Sequence, residues 1–103
     1  MNSKKQLAVA LSRLQSFEKP SFKLEQYPTD SEIAAEVLWF ASQYGDLDNK
    51  EIADLGCGTG ILGIGALMLE SKSLNFVDID ERALRKLKQN LQLKGISKNR
   101  IKS

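Results

Sequence analysis

The run Asp54-Leu55-Gly56-Cys57-Gly58-Thr59-Gly60 leaves this chain few folds to choose from. A short apolar stretch, Ile52 to Leu55, leads into it. After it comes Ile61-Leu62-Gly63-Ile64-Gly65-Ala66-Leu67-Met68-Leu69, apolar on all sides, and then a second strand-like stretch, Leu74 to Asp78. A helix apolar all round is one buried against a sheet. Strand, glycine turn, buried helix and strand make a βαβ unit, which implies a parallel sheet with a right-handed crossover. Glycines in the turn let the backbone approach a ligand closely, because no Cβ intervenes. Gly63 and Gly65 weaken the helix by up to about 1 kcal/mol each relative to Ala, which is tolerable where close helix–strand packing needs them.

The remaining elements follow from spacing and caps. Leu7, Leu11 and Leu14, with Ala10 and Phe17, predict an amphipathic helix over 3–15 with Ser3 as N-cap. Residues 18–28 hold both prolines and read as an extended connector. A second helix is predicted over 30–44, with Thr29 and Glu32 as a capping box, Gly45 as terminator, and Ile33, Val37, Leu38, Ala41 and Tyr44 as its buried face. Trp39 and Phe40 are adjacent, so one of them must sit near the rim. Asp80 caps a last helix with Leu84, Leu87 and Leu91 inward and Gly95 at its end, and Arg100-Ile101-Lys102-Ser103 looks like the opening of a third strand.

The expected fold class is thus α/β, Rossmann-like, with a parallel sheet that stops after the second βα unit. Residues 1–45 form an amino-terminal helical segment and residues 46–103 the first half of a nucleoside-binding domain. Parallel sheets want both faces covered and rarely stop at two strands, so the chain reads as the front half of a domain.

At 103 residues there is room for one small domain at most. Hydrophobic content of 42% and charge of 27% argue against disorder, and a net charge of +2 does not by itself establish nucleic-acid binding. Cys57 is the only cysteine and there is no histidine, which excludes an internal disulfide and leaves no plausible zinc set. No stretch approaches the roughly 20 apolar residues of a membrane span, and the amino terminus lacks a signal-peptide pattern, so a reducing cytoplasm is the expected compartment.

Charge then narrows the ligand. A dinucleotide fingerprint reads G-x-G-x-x-G and seats a pyrophosphate on a helix N-terminus. Here the third glycine comes one residue early and Ile61 occupies the dinucleotide position. Asp54 stands directly before the glycines, where a carboxylate opposes a phosphate by about 1 kcal/mol even in water. The same carboxylate suits S-adenosylmethionine, which carries an ammonium and a sulfonium and no phosphate. No G-K-[ST] follows the turn, so a P-loop is excluded. Asp78, at the end of the second strand, is placed to accept from ribose hydroxyls. Asp80 already has a sufficient reason as helix cap. A G-x-G-x-G alone is equally a structural turn; Asp54 before it and Asp78 after it, in a βαβ frame, favour the cofactor reading. Thr59 contributes its backbone or hydroxyl. Cys57 has no accompanying base to make it a nucleophile. The cluster Arg82, Arg85, Lys86, Lys88 and Lys94 reads as a solvated helix face before an RNA-contacting one.

These residues carry a resemblance. Asp54 to Gly60 resembles motif I of class I S-adenosylmethionine-dependent methyltransferases, and Phe76-Val77-Asp78-Ile79-Asp80 resembles the acidic end of their second strand. The segment Leu24-Glu25-Gln26-Tyr27-Pro28-Thr29, leading into Ile33-Ala34-Ala35-Glu36, is similar to the methyltransferase-like protein 5 family and its archaeal relatives, which make N6-methyladenosine in RNA. The likeness runs from Leu7 to about Leu93. It implies that residues around Gln26 and Thr29 fold over the methionine part of S-adenosylmethionine. The candidate cofactor set is then Gln26, Thr29, Asp54, Gly56, Gly58, Thr59, Gly60, Leu62 and Asp78.

In that family an Asn-Pro-Pro-Phe motif after the fourth strand grips the adenine amine and stacks on the flipped-out base. No Asn-Pro-Pro run occurs in these 103 residues, so the chain alone is expected to be inert or nearly so. The alternatives are a non-catalytic binding or regulatory module, one part of a split enzyme, or a methyltransferase of other specificity such as protein glutamine. The resemblance implies RNA as a partner and makes a small zinc-binding activator subunit conceivable. The incomplete sheet implies self-association or a second polypeptide that completes it.

Overall fold

The computed structural model describes residues 2–14 and 30–102. The elements run α1 (Lys4–Ser12), α2 (Ser31–Gln43), β1 (Glu51–Leu55), α3 (Ile61–Met68), β2 (Ser73–Val77), α4 (Glu81–Leu93), a 3-10 turn (Lys98–Arg100) and β3 (Ile101–Lys102). The sheet is parallel throughout, in the order β1-β2-β3, with Ile52 opposite Leu74, Asp54 opposite Phe76 and Leu74 opposite Ile101. The expected βαβ unit and α/β class are therefore present, and the third strand forms.

Alternation along the strands decides which face is covered. Ile52 and Asp54 are half-buried and Leu74 and Phe76 buried, all on the side of α3. Glu51, Ala53, Leu55, Val77 and Lys102 alternate with them and are exposed. One core lies on the covered side, where Leu7 and Leu11 of α1, Leu38 of α2, Ile64 and Leu67 of α3, and Leu87 and Leu91 of α4 join Leu74 and Phe76. Both helix glycines have a packing reason, against a strand at Gly63 as the sequence implied and against the neighbouring helices at Gly65. A Cβ on Gly63 would collide with the Phe76 ring, and one on Gly65 with Leu38 Cδ1. At the far end of α3, Arg100 Nη2 donates to Leu67 O at 2.8 Å and Ser71 O at 2.7 Å. That contact satisfies carbonyls at the helix terminus and ties the start of β3 to it.

The helix caps agree with the sequence except at α2. Ser3 accepts from Gln6 N, and Asp80 accepts from Arg82 N at 2.9 Å. The cap of α2 is Asp30 rather than Thr29. Its Oδ1 accepts from Glu32 N at 2.7 Å and Ile33 N at 3.4 Å, and an anionic cap also meets the positive end of the helix dipole. Thr29 lies outside the described residues.

The buried face of α2 also differs from expectation. Ala34, Ala35 and Leu38 are buried, whereas Ile33, Val37, Phe40 and Tyr44 are exposed. Small residues turned inward let α2 lie close to α1 and α3, and Leu38 fills the space over Gly65. The larger apolar side chains are left as an outward stripe, on which the Phe40 and Tyr44 rings meet at 4.8 Å. Of the adjacent aromatics, Trp39 packs against the core and Phe40 stands at the rim, 64% exposed.

Candidate cofactor site

The turn between β1 and α3 is built by three glycines in left-handed backbone, with φ of 68° at Gly56, 57° at Gly58 and 100° at Gly60. L side chains rarely adopt such angles, so the turn needs glycine at each position. Their surroundings differ. A Cβ on Gly56 or Gly58 would meet nothing within 4 Å, so the backbone there faces open space. A Cβ on Gly60 would run into Leu87 of α4, which gives that glycine a packing reason of its own.

Two carboxylates flank the turn. Asp78 follows β2, and its two oxygens divide their work: Oδ2 accepts from Gly58 N at 2.8 Å and Oδ1 from Asp80 N at 2.8 Å. The sequence separates Asp78 from Gly58 by 20 residues, and parallel pairing of β1 with β2 brings them together. Cys57 N donates to Val77 O at 3.0 Å, which carries the strand pairing two residues beyond β1 into the turn. Asp54, on the covered face of β1, accepts from Gly63 N at 3.1 Å through Oδ2. That bond satisfies a first-turn N–H of α3, which has no intrahelical partner. Burial holds the Asp54 carboxyl above its ordinary value, the Gly63 N–H opposes that shift, and the Asp78 charge adds to it.

Cys57 is buried in the same turn, and its thiol is pushed up to about 12, by burial first and then by the charges of Asp54 and Asp78. It is no nucleophile near neutral pH. Among the described residues no group of His, Cys, Asp and Glu could hold a metal ion, and no helix is long and apolar enough to cross a membrane.

Of the expected cofactor residues, the structure gathers Asp54, Gly56, Gly58, Thr59, Gly60 and Asp78 at the carboxyl ends of β1 and β2. Leu62 is half-buried in the first turn of α3. Gln26 and Thr29 lie outside the described residues. Two residues that the sequence reading passed over also belong here. Ile79 stands between the two aspartates and is 98% exposed, an apolar surface beside the Asp78 carboxylate. Asn90 of α4 is fully buried and donates from Nδ2 to Thr59 O at 2.9 Å. Its signal was available: a carboxamide three residues after Leu87, on the helix's apolar stripe.

A glycine turn at the carboxyl end of a parallel strand, with an acid at the end of the next, is the general location of nucleotide sites in open α/β sheets. Comparison with known proteins gives the family. Residues 34–103 match the family described as ribosomal protein L11 methyltransferase (PrmA). The chain belongs to this family. Among relatives of this PrmA-family chain, the rRNA N(6)-adenosine-methyltransferase METTL5 of Danio rerio is 42% identical over 89 residues, 85% of this chain and 43% of that protein. A ribosomal protein L11 methyltransferase of Acinetobacter baumannii is 47% identical over 51 residues, 50% of this chain and 17% of that protein. The crystal structure of a Pyrococcus horikoshii protein described as an RNA methyltransferase superposes with a TM-score of 0.89 at 44% identity, over 99% of this chain and 50% of that one. The chain thus spans half or less of the length of these relatives, and the resemblance to class I methyltransferases seen in its sequence holds in both comparisons.

Proposed function

We propose that this chain is the cofactor-binding half of an S-adenosylmethionine-dependent methyltransferase that acts on N6 of adenosine in ribosomal RNA. The observation that carries the cofactor reading is the Asp78 carboxylate, fixed by Gly58 N and Asp80 N beside glycines whose outer side is open. The residues present fit the group. Each Asp78 oxygen keeps acceptor capacity for a ribose hydroxyl, Ile79 offers an apolar surface for the nucleobase, and Asp54 offers negative charge for the methionine ammonium. Leu62, Thr59, Gln26 and Thr29 complete the proposed set. The cofactor supplies an electrophilic methyl on sulfur; what the chain contributes is binding and orientation, the terms that positioning catalysis depends on.

The RNA reading draws on where the relatives align. The rRNA methyltransferase relative covers 85% of this chain, while the L11 methyltransferase relative covers 50%. A protein acceptor is the second reading, favoured by the family description itself. RNA is the proposed partner, with a small activator subunit beside it, and a second polypeptide or a further copy is the proposed complement to the sheet. With no Asn-Pro-Pro run in its 103 residues, the chain by itself is proposed to transfer no methyl group.

Calorimetry with S-adenosylmethionine, S-adenosylhomocysteine and NAD tests the cofactor. Binding should favour the first two, and tighter binding of NAD would defeat the charge argument. Incubation with labelled donor and either ribosomal RNA or ribosomal protein tests the activity. Labelling of RNA that survives repurification would overturn the inert reading, and labelling of protein would overturn the choice of acceptor as well.

A further inference from the structure

We propose that Asn90 is the positioning residue of the glycine turn, holding the Thr59–Gly60 peptide so that Gly56 and Gly58 stay open to the nucleoside cofactor. The inference rests on the cofactor reading above. Asn90 is fully buried beside Leu87 and Leu91, in a layer where a carboxamide is costly unless it is paired. Its Nδ2 donates to Thr59 O, 2.9 Å away and 31 residues distant in sequence. The N–H of that same peptide unit belongs to Gly60, and it donates to Cys57 O at 3.0 Å. In a planar trans peptide the two groups point in opposite directions. One peptide plane is therefore gripped at both ends, from the turn on one side and from α4 on the other.

That grip matters because of the glycines. Three residues able to occupy left-handed backbone make the turn possible and also leave its peptide planes free to rotate, since glycine tolerates the alternative angles almost as well. Rotation of the Thr59–Gly60 plane would swing Thr59 O away from Asn90 and change φ at Gly60, whose own carbonyl accepts from Ile64 N at 2.8 Å to open α3. Gly58 N, which meets Asp78, lies one residue before this plane. Asp78 fixes the turn at Gly58 from β2; Asn90 fixes it at Thr59 from α4. A turn held at both points binds without the ordering cost that a mobile one would meet.

The test uses the full chain and Asn90→Leu, which keeps roughly the volume and removes the donor. A residue that only fills space would be replaced by leucine with no loss. The expected result is a thermal midpoint at or near the parent's, about ten-fold weaker binding of S-adenosylhomocysteine by calorimetry, and shifted or broadened amide resonances at Gly58 and Gly60. Parent-like affinity with parent-like Gly58 and Gly60 resonances would overturn the proposal. Should the parent chain fail to bind S-adenosylhomocysteine, the cofactor reading falls and the resonances of ligand-free N90L still decide the positioning claim. Should N90L fail to fold, the parent decides. Its Asn90 side-chain protons should exchange slowly with water and move on addition of S-adenosylhomocysteine, and fast exchange with no movement would refute the grip.

Discussion

Asp78 does two things at once, and substitutions can separate them. Its carboxylate ties Gly58 to the end of β2 and, in the proposed site, faces the ribose. Asp78→Ala should weaken S-adenosylhomocysteine binding by about 1.5–3 kcal/mol in calorimetry, and it should also lower the thermal midpoint, because two backbone N–H groups lose their acceptor. Asp54 gives a pH signature. Burial raises its pKa from an ordinary 3.8, so the folded chain holds that proton more tightly than the unfolded chain does. Stability therefore declines as pH climbs from 3.8 through the raised value and levels off above it. Binding of an ammonium-bearing ligand needs the carboxylate, so affinity should rise over the same interval. Asp54→Asn should remove both slopes, which denaturation and calorimetry as functions of pH will show. Cys57, with its thiol pushed up to about 12, should resist iodoacetamide at pH 8 while the chain is folded and react once it is denatured, as mass spectrometry would record. Asp54 and Asp78 were legible in the sequence because each stands at a fixed offset from the glycines. Asn90 is legible only in part: a carboxamide on an apolar stripe stands out, but its pairing with Thr59, 31 residues away, comes from packing, and the exposure of Ile79 is set by the strand end alone.

At the scale of elements, strands and helices fall close to where periodicity put them, because βαβ patterning and caps are local signals. The orientation of α2 is not local. Its sequence offers two apolar faces, one rich in large side chains and one in alanine, and hydrophobicity alone selects the first. Close packing selects the second: Ala34 and Ala35 permit short distances to neighbouring helices, and Gly65 of α3 provides a recess for Leu38. The distinction has measurable consequences. Leu38→Ala should cost about 2–5 kcal/mol by chemical denaturation, as a cavity opens in the core. Val37→Ala, on the outward stripe, should stay within about 0.5 kcal/mol, as surface changes do. Equal losses at the two positions would mean that the outward stripe is covered in solution.

Across the whole molecule, the covered and uncovered sides of the sheet are unequal. Among the described residues four helices contribute to one core on one face, while the other face shows Leu55, 77% exposed, and Val77. Among the described residues β1 is hydrogen-bonded to β2 alone, so its outer edge offers unpaired N–H and C=O groups in the same region. The stripe of Ile33, Val37, Phe40 and Tyr44 adds a second apolar surface. Large apolar side chains gain about 1.5–3 kcal/mol each on full burial, so covering even a few of them outweighs a modest association cost. The purified chain is therefore expected to associate as concentration rises, with light scattering giving a mass above that of one copy. Amide exchange should slow at β1 and α2 in the associated form. A mass of one copy at all concentrations, with β1 amides already protected, would defeat this expectation. Mixing with a polypeptide that carries the second half of a relative's domain provides the complementary measurement. If that half completes the sheet, the self-associated form should give way to a one-to-one complex, and the protection at β1 should rise further.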